Sequence, residues 1–446
     1  MSLPNQSLVY GKAGRPTASG ERSTLRRAAT ASFMGNFVEW FDYASYGYLA
    51  AIIAVVFFPA TDKTSGLLAA FAVFAISFIV RPIGGIIWGH IGDRHGRRSA
   101  LSLSILIMSG ATFCIALLPT YEQVGMLAPA LLLLIRLVQG FSASGEYAGA
   151  TAFLAEYAPD RKRGFYTCLV PASTAAGLLF GSLLVTVLYR VLDEQQLHDW
   201  GWRLPFLLAA PLGLIGRYIR LHLEDTPRFR EMVDSLEQQD GHRPIPVREL
   251  FAQHSGRVLA AISATSLNAV AFYLILSYMP TYLSTEMGMS ETDSFLASTV
   301  SLATYIGFIF LMGVLSDRYG RRAMLVLASL AFISLTFPLF ALLQGQAFLV
   351  ILLIQIAFGL MLAMNDGTLP CYLAEIFPTR VRYSGFAFSF NTAQALFGGT
   401  APFVATWLIS LTGDKMAPSW LLIGSAVLAL IAVLVVRGRC GQRLED

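Results

Sequence analysis

Apolar runs about as long as a bilayer is thick recur along almost the whole chain, and few folds can accommodate them. A hydrocarbon core of about 30 Å takes ~20 apolar residues per helix. The stretches 67–88, 127–143 and 421–436 meet or approach that length. In lipid each backbone N–H and C=O must be paired within the protein, and a helix does this span by span. Charge is correspondingly scarce, at 13% of 446 residues, where soluble domains carry about 25%. The pattern predicts an all-α membrane protein with twelve transmembrane helices. They fall near 33–58, 66–90, 99–118, 126–157, 165–190, 204–222, 257–284, 294–315, 322–343, 347–376, 383–411 and 419–437.

One long polar stretch interrupts the series. Residues 224–256, with Pro227, Gly241, Pro244 and Pro246, read as a linker between a six-helix bundle at 31–223 and a second at 257–437. Residues 1–30 are polar and contain no hydrophobic segment before a cleavage site, so they read as a loose cytoplasmic tail rather than a signal peptide; 438–446 form a second tail. Lysine and arginine placement sets the orientation. With the N-terminus inside, only Lys63, Arg190, Arg203 and Lys415 fall outside, and Arg81 and Arg136 fall within the membrane. Both termini are then cytoplasmic, in a bacterial inner membrane. Cys114, Cys168, Cys371 and Cys440 lack metal spacing and read as small apolar residues. His90, His95, His198, His222, His242 and His254 lie in loops or at span ends.

The chain also repeats itself. Gly89 to Arg98, with Asp93, Gly96, Arg97 and Arg98, returns as Gly313 to Arg322, with Asp317, Gly320, Arg321 and Arg322. Ala155-Glu156, Pro159, Arg161 and Arg163 return as Ala374-Glu375, Pro378, Arg380 and Arg382. The offsets, 224 and 219 residues, nearly agree, so a whole half is duplicated. The repeated turn with its Asp and paired arginines resembles the loop signature of the major facilitator superfamily, which is built from two parallel halves with the substrate site between them.

Further motifs narrow the resemblance. Gly35-Asn36-Phe37-Val38-Glu39-Trp40-Phe41-Asp42-Tyr43, Arg81-Pro82-Ile83-Gly84-Gly85, Gln139 to Tyr147 and Trp200 to Phe206 are similar to motifs of the metabolite:proton symporter family. Ala155 to Phe165 and Tyr278 to Leu283 resemble its proline/glycine-betaine symporters. That implies proton-driven uptake of a zwitterionic osmolyte by alternating access. Osmosensing members continue into a C-terminal coiled coil. The sequence in hand stops at Asp446, soon after its last span, a departure from that pattern that leaves osmotic gating through such a segment an open question. Leu411 to Lys415, with Pro418 and Trp420, is similar to citrate symporters of the same family, and a carboxylate substrate stays open.

Charges within a bilayer are costly and call for a partner or a function. Glu39 and Asp42 are spaced i,i+3 and share a helix face, and Arg81 reaches a comparable depth. Pairing of Arg81 with that face follows, either as a fixed salt bridge or as a proton-coupled site. Arg136 resembles the fourth-span arginine of proton-coupled facilitators. It lies about 15 Å along the helix from Glu146, so the two are not partners. Glu146 reads as a coupling or substrate group, or as a packed charge among Ser142, Ala143, Ser144 and Gly145. The second offset places Asp366 beside Glu146 across the pseudo-twofold, where it could serve as counter-charge to a cationic substrate group.

Trp40, Tyr43, Tyr46, Asn268, Tyr273 and Tyr278 complete the candidate substrate site, because aromatic faces hold quaternary ammonium at ~0.5–2 kcal/mol per contact. In the resembling family Asp93 and Asp317 meet helix N-termini, and Arg97, Arg98, Arg321 and Arg322 meet acids such as Glu156 and Glu375, together forming a gate. No nucleophile–base pair, phosphate loop or metal cluster is present, so neither enzyme chemistry nor a cofactor or metal is expected. The partners expected are a small-molecule substrate, protons and the lipid bilayer, with no nucleic acid, and the chain is expected to be monomeric. Carboxylate symport through Arg81 or Arg136, drug efflux and a non-transporting scaffold are the competing readings.

Overall fold

The computed structural model describes residues 18–58, 63–238, 245–345, 347–436 and 444, and every regular element among them is helical. Ten helices are long and apolar enough to cross a membrane, and Ser23–Tyr48 with Ala50–Phe57, bent by 69°, forms another. Lys63–Ile79 and Arg81–His95, separated by Val80 alone, complete the twelve. Span 1 is the bent pair and span 2 the pair broken at Val80. Spans 3 to 6 are Arg97–Leu117, Leu127–Tyr157, Arg163–Val191 and Arg203–Leu221. Spans 7 to 12 are Ser255–Thr285, Thr292–Tyr319, Arg321–Leu342, Phe348–Ile376, Thr379–Thr412 and Ala417–Val435.

Two polar segments are more ordered than their composition suggests. Helix begins at Ala18, and Ala28 and Ala31 pack into a buried cluster with Leu154, Ala155 and Leu223, so the supposed tail is structured over 18–30. Its earlier part, residues 1–17, lies outside the described residues, as do the 438–446 tail apart from Leu444, Arg437, Cys440, Gly241, Pro244, His242 and the side chain of Lys63. The linker holds two helices, Pro227–Gln238 and Pro246–Gln253. Proline at a helix start removes an N–H that has no partner there anyway. Phe229 and Met232 are buried, and Arg97 lies 5.1 Å from the centre of the Phe229 ring. Burial raises the Asp225 carboxyl above its ordinary range, opposed by the Arg98 N–H and the charge of Arg97.

Lipid offers no hydrophobic drive between spans, so close packing and hydrogen bonds hold them. Asn36 donates from span 1 to Val170 O at 2.9 Å and to Thr174 Oγ1 at 2.7 Å on span 5. Gly177 on span 5 lets the span 1 backbone approach, and an added Cβ would lie 2.7 Å from Phe37 O. Spans 1 to 6 and 7 to 12 meet along a seam made by span 2 against span 11, span 5 against span 8, and span 4 against spans 10 and 11. The first two contacts exchange under the internal repeat.

Glycine sets the closest approach at the seam. A Cβ on Gly85 would fall 2.8 Å from Ala387 O, and one on Gly89 would collide with the Ser384 backbone. Gly313 is equally close to Gly164 O and Cys168. Gly89→Ala is therefore expected to part spans 2 and 11 while leaving each half folded. Spin-label distances across that seam should lengthen with little change in thermal stability. Unchanged distances would mean the crossing yields without opening.

Candidate functional site

Span 1 presents Glu39 and Asp42 inward, and each finds its own arginine. Arg81 NH2 donates to Glu39 Oε1 at 3.0 Å, and Arg136 NH1 donates to Asp42 Oδ2 at 2.9 Å. Arg81 thus reaches the acidic face as its depth suggested, but it takes Glu39 alone. Gln139 donates to Asp42 Oδ1 at 3.1 Å and to Thr112 at 2.7 Å. The four charged groups are all buried. Tyr43 lies between the two guanidiniums, 4.9 Å from Arg81 and 5.4 Å from Arg136 by ring centre. Tyr46 lies 4.1 Å from Arg136 and donates to Ala70 O at 3.0 Å, so it braces the first half and belongs less to the seam.

The two carboxylates differ in how fully they are used. Asp42 receives hydrogen bonds on both oxygens, whereas Glu39 Oε2 is buried without a hydrogen-bond partner, as are Arg81 Nε, Trp40 Nε1 and Gln394 Oε1. Buried polar atoms are nearly always paired, so such a group of unused donors and acceptors asks for an explanation. They flank one aromatic layer that crosses the seam. Trp40 meets Phe272 at 5.2 Å and Tyr43 at 5.7 Å, and Phe78 meets Tyr273 at 6.0 Å. Arg81 lies 4.6 Å from the Phe78 ring. Phe272–Tyr278 on span 7 and Gln394–Gly398 on span 11 are π-helical, a wide turn that often marks functional positions.

Span 7 carries the polar side of this layer into the second half. Gln394 donates to Asn268 Oδ1 at 3.0 Å, Asn268 donates to Asp366 Oδ1 at 2.7 Å, and Tyr305 OH donates to Asp366 Oδ2 at 2.6 Å. Tyr278 accepts from Thr406 at 3.0 Å, away from the Asn268 chain. Glu146 does not face Asp366. It takes Arg220 on both oxygens, with Ser104 Oγ also donating to it, inside the first half. That contact corrects the cross-seam pair expected from the repeat offset: a buried carboxylate goes to the guanidinium that meets it bidentately.

At the end of the bundle that carries the 93–98 and 317–322 turns, cross-seam bonds come in related pairs. Asp93 accepts from Tyr383 N–H at 3.1 Å and Ser384 N–H at 2.8 Å, at the start of span 11. Asp317 accepts from Gly164 N–H and Phe165 N–H, both at 2.9 Å, at the start of span 5. Helix N-termini favour negative charge. Glu156 binds Arg97 at 3.2 Å and Arg382 at 2.7 Å, and Glu375 binds Arg163 at 2.9 Å and Arg321 at 3.5 Å. This end is shut.

Arg98 and Arg322 depart from the expected acid contacts. They donate to Leu221 O at 2.6 Å and Leu434 O at 2.9 Å, capping the last span of each half. Several participants went unassigned in the sequence reading: Arg220, Tyr305, Gln394, Arg163 and Arg382. Only the last two had a signal, since both stand in the repeated Ala-Glu motif. Among the described residues no group of His, Cys, Asp and Glu could hold a metal.

Comparison with known proteins bears on the family and the fold. A model of the sugar (and other) transporter family matches residues 28–240, and one of the Major Facilitator Superfamily matches 261–439. The chain is 39% identical to a proline/betaine transporter of Salmonella typhimurium, over 94% of this chain and 85% of that one. It is 40% identical, with the same coverage, to a glycine betaine/proline/ectoine/pipecolic acid transporter of Dickeya dadantii. In fold it is similar to the proton:xylose symporter XylE, with a TM-score of 0.79 at 18% identity over 95% of this chain and 98% of that one. The chain belongs to the major facilitator superfamily, within the family of the proline/betaine transporters, a family of transporters and not of enzymes.

Proposed function

We propose that the protein imports a small zwitterionic osmolyte, such as proline, glycine betaine or ectoine, together with protons. The observation that carries this reading is the Glu39–Arg81 pair with its unused Oε2 and Nε, set against an aromatic layer at the seam. A proton on Glu39 weakens its hold on Arg81, and Arg81 is then free to take the substrate carboxylate. The substrate's ammonium lies on the faces of Trp40, Tyr43 and Tyr273 through cation–π attraction. Proton and substrate thus favour one another's binding, which is the requirement for symport.

Residues 31–223 and 257–437 act as two rocking units joined by 224–256, in a monomer of the bacterial inner membrane with both termini in the cytoplasm. The Asp93 and Asp317 contacts close the cytoplasmic gate. Asn268 orders the second half's side of the substrate site, and Asp366, which it holds, lies behind it. Uptake of radiolabelled betaine, proline, ectoine, citrate and 2-oxoglutarate into proteoliposomes, with and without an inward proton gradient, tests the reading. The zwitterions are expected to accumulate only with the gradient. Uptake of di- or tricarboxylates alone would sink it.

A further inference from the structure

We propose that Asp366 carries a second transported proton, separate from the Glu39–Arg81 site, and releases it when the cytoplasmic gate opens. The proposal rests on the proton-coupled reading above. Every other buried carboxylate among the described residues (Glu39, Asp42, Asp93, Glu146, Glu156 and Glu375) has an arginine within ion-pair distance. Asp366 has none. Its two oxygens meet only the Asn268 amide on span 7 and the Tyr305 hydroxyl on span 8. Among the described residues Tyr147 on span 4 is a further titratable group that faces it. An ionised carboxylate within a bilayer, held by neutral donors alone, is costly in a way the arginine-paired acids are not.

The site is built to take a proton with little rearrangement. A proton arriving on Oδ2 reverses the 2.6 Å bond: the acid now donates, and the Tyr305 oxygen accepts. Asn268 continues to donate to Oδ1. Release is linked to the gate through Tyr147, which stacks on Phe390 of span 11 with ring centres 4.3 Å apart and planes 5° from parallel. Tyr383 OH of span 11 donates to Gly145 O of span 4 at 2.7 Å on the same seam. Parting spans 4 and 11 breaks both contacts, draws Tyr147 away and uncovers Asp366 to the cytoplasm. The proton then leaves to water, and the carboxylate is solvated where it would otherwise be stranded.

The test measures the proton-to-substrate ratio in proteoliposomes, from the membrane potential at which net glycine betaine flux reverses. Asp366→Asn mimics the protonated acid, so it is expected to fold with wild-type thermal stability and to couple one proton fewer per substrate. Asp366→Glu should keep the wild-type ratio. An unchanged ratio in Asp366→Asn overturns the proposal, and weakened betaine binding at that unchanged ratio would instead make Asp366 a counter-charge to the substrate ammonium. Failure of Asp366→Asn to fold also overturns it, because a neutral isostere should fit a site that holds a neutral acid. A wild type that moves betaine without protons refutes the coupling reading itself, and the wild-type arm shows this before any variant is compared.

Discussion

Glu39→Gln should cut the steady-state accumulation of substrate about tenfold for each pH unit of imposed gradient. One proton moving down one pH unit supplies about 1.4 kcal/mol, the energy of a tenfold concentration ratio. Glutamine imitates the protonated acid and leaves Arg81 open to the substrate carboxylate at every pH. Substrate affinity, which in the wild type should weaken as pH rises and Glu39 recaptures Arg81, should become flat with pH. Downhill exchange should survive, since it requires no proton release. Wild-type accumulation with a wild-type pH profile would remove Glu39 from coupling.

Asp42→Asn should behave differently, because Asp42 is fully engaged. It binds Arg136 and Gln139 through both oxygens, so its replacement by an amide removes the counter-ion of a buried guanidinium, as Glu39→Gln also does. In addition it turns an NH2 group against one of two donors, whereas Glu39 has an unused oxygen where the NH2 can sit. Breaking a buried pair from one side costs about 3–5 kcal/mol. Asp42→Asn should therefore lower thermal stability well below that of Glu39→Gln. The sequence offered the two acids as equals on one helix face. What separates them is the number of donors that other spans bring to each.

Asp93→Asn should shift the resting protein toward the state open to the cytoplasm. Asp93 is fully buried and accepts two backbone N–H bonds and the Ser384 hydroxyl at 2.6 Å across the seam, with Arg97 at 2.9 Å on its own side. Hydrogen bonds to a charged group contribute roughly 1.5–3 kcal/mol each. Weakening this set should move the conformational equilibrium by about a hundredfold or more, at 1.4 kcal/mol per factor of ten. Cysteine labelling from the cytoplasmic side, at positions now covered by span 11, should rise. Maximal transport rate should fall, and substrate affinity should stay within a fewfold, because Asp93 lies at the gate and not among the aromatic layer. Asp317→Asn should be milder: it makes the same two backbone contacts, but its side chain is 10% exposed where that of Asp93 is fully covered, so water can replace part of what is lost. A large loss of binding in a folded Asp93→Asn protein would contradict this division of labour.

Much of the architecture was legible in the chain because its causes are local or repeated. Span length answers to bilayer thickness, and backbone pairing within a helix needs no partner from elsewhere. The duplicated Asp and Ala-Glu motifs marked both sides of the seam at one end of the bundle, and pairing of Arg81 with the Glu39/Asp42 face followed from matching depth. Depth could not say which acid Arg136 would take, nor that Arg220, which reads as an ordinary span-end charge, turns inward to hold Glu146. Arg98 and Arg322 share a motif with Arg97 and Arg321, yet one residue turns each away to a carbonyl. The limit was angular. A sequence gives how far along its helix each side chain lies, and so determined the twelve spans, the repeat and the depth of each buried charge. Rotation of one helix against another is set by close packing at glycines such as Gly85, Gly89 and Gly177, and a few degrees decide which donor meets which acceptor. Only the tertiary structure therefore decided that Glu39 keeps an unused oxygen, that no arginine among the described residues meets Asp366, and that four acids lock one end of the bundle.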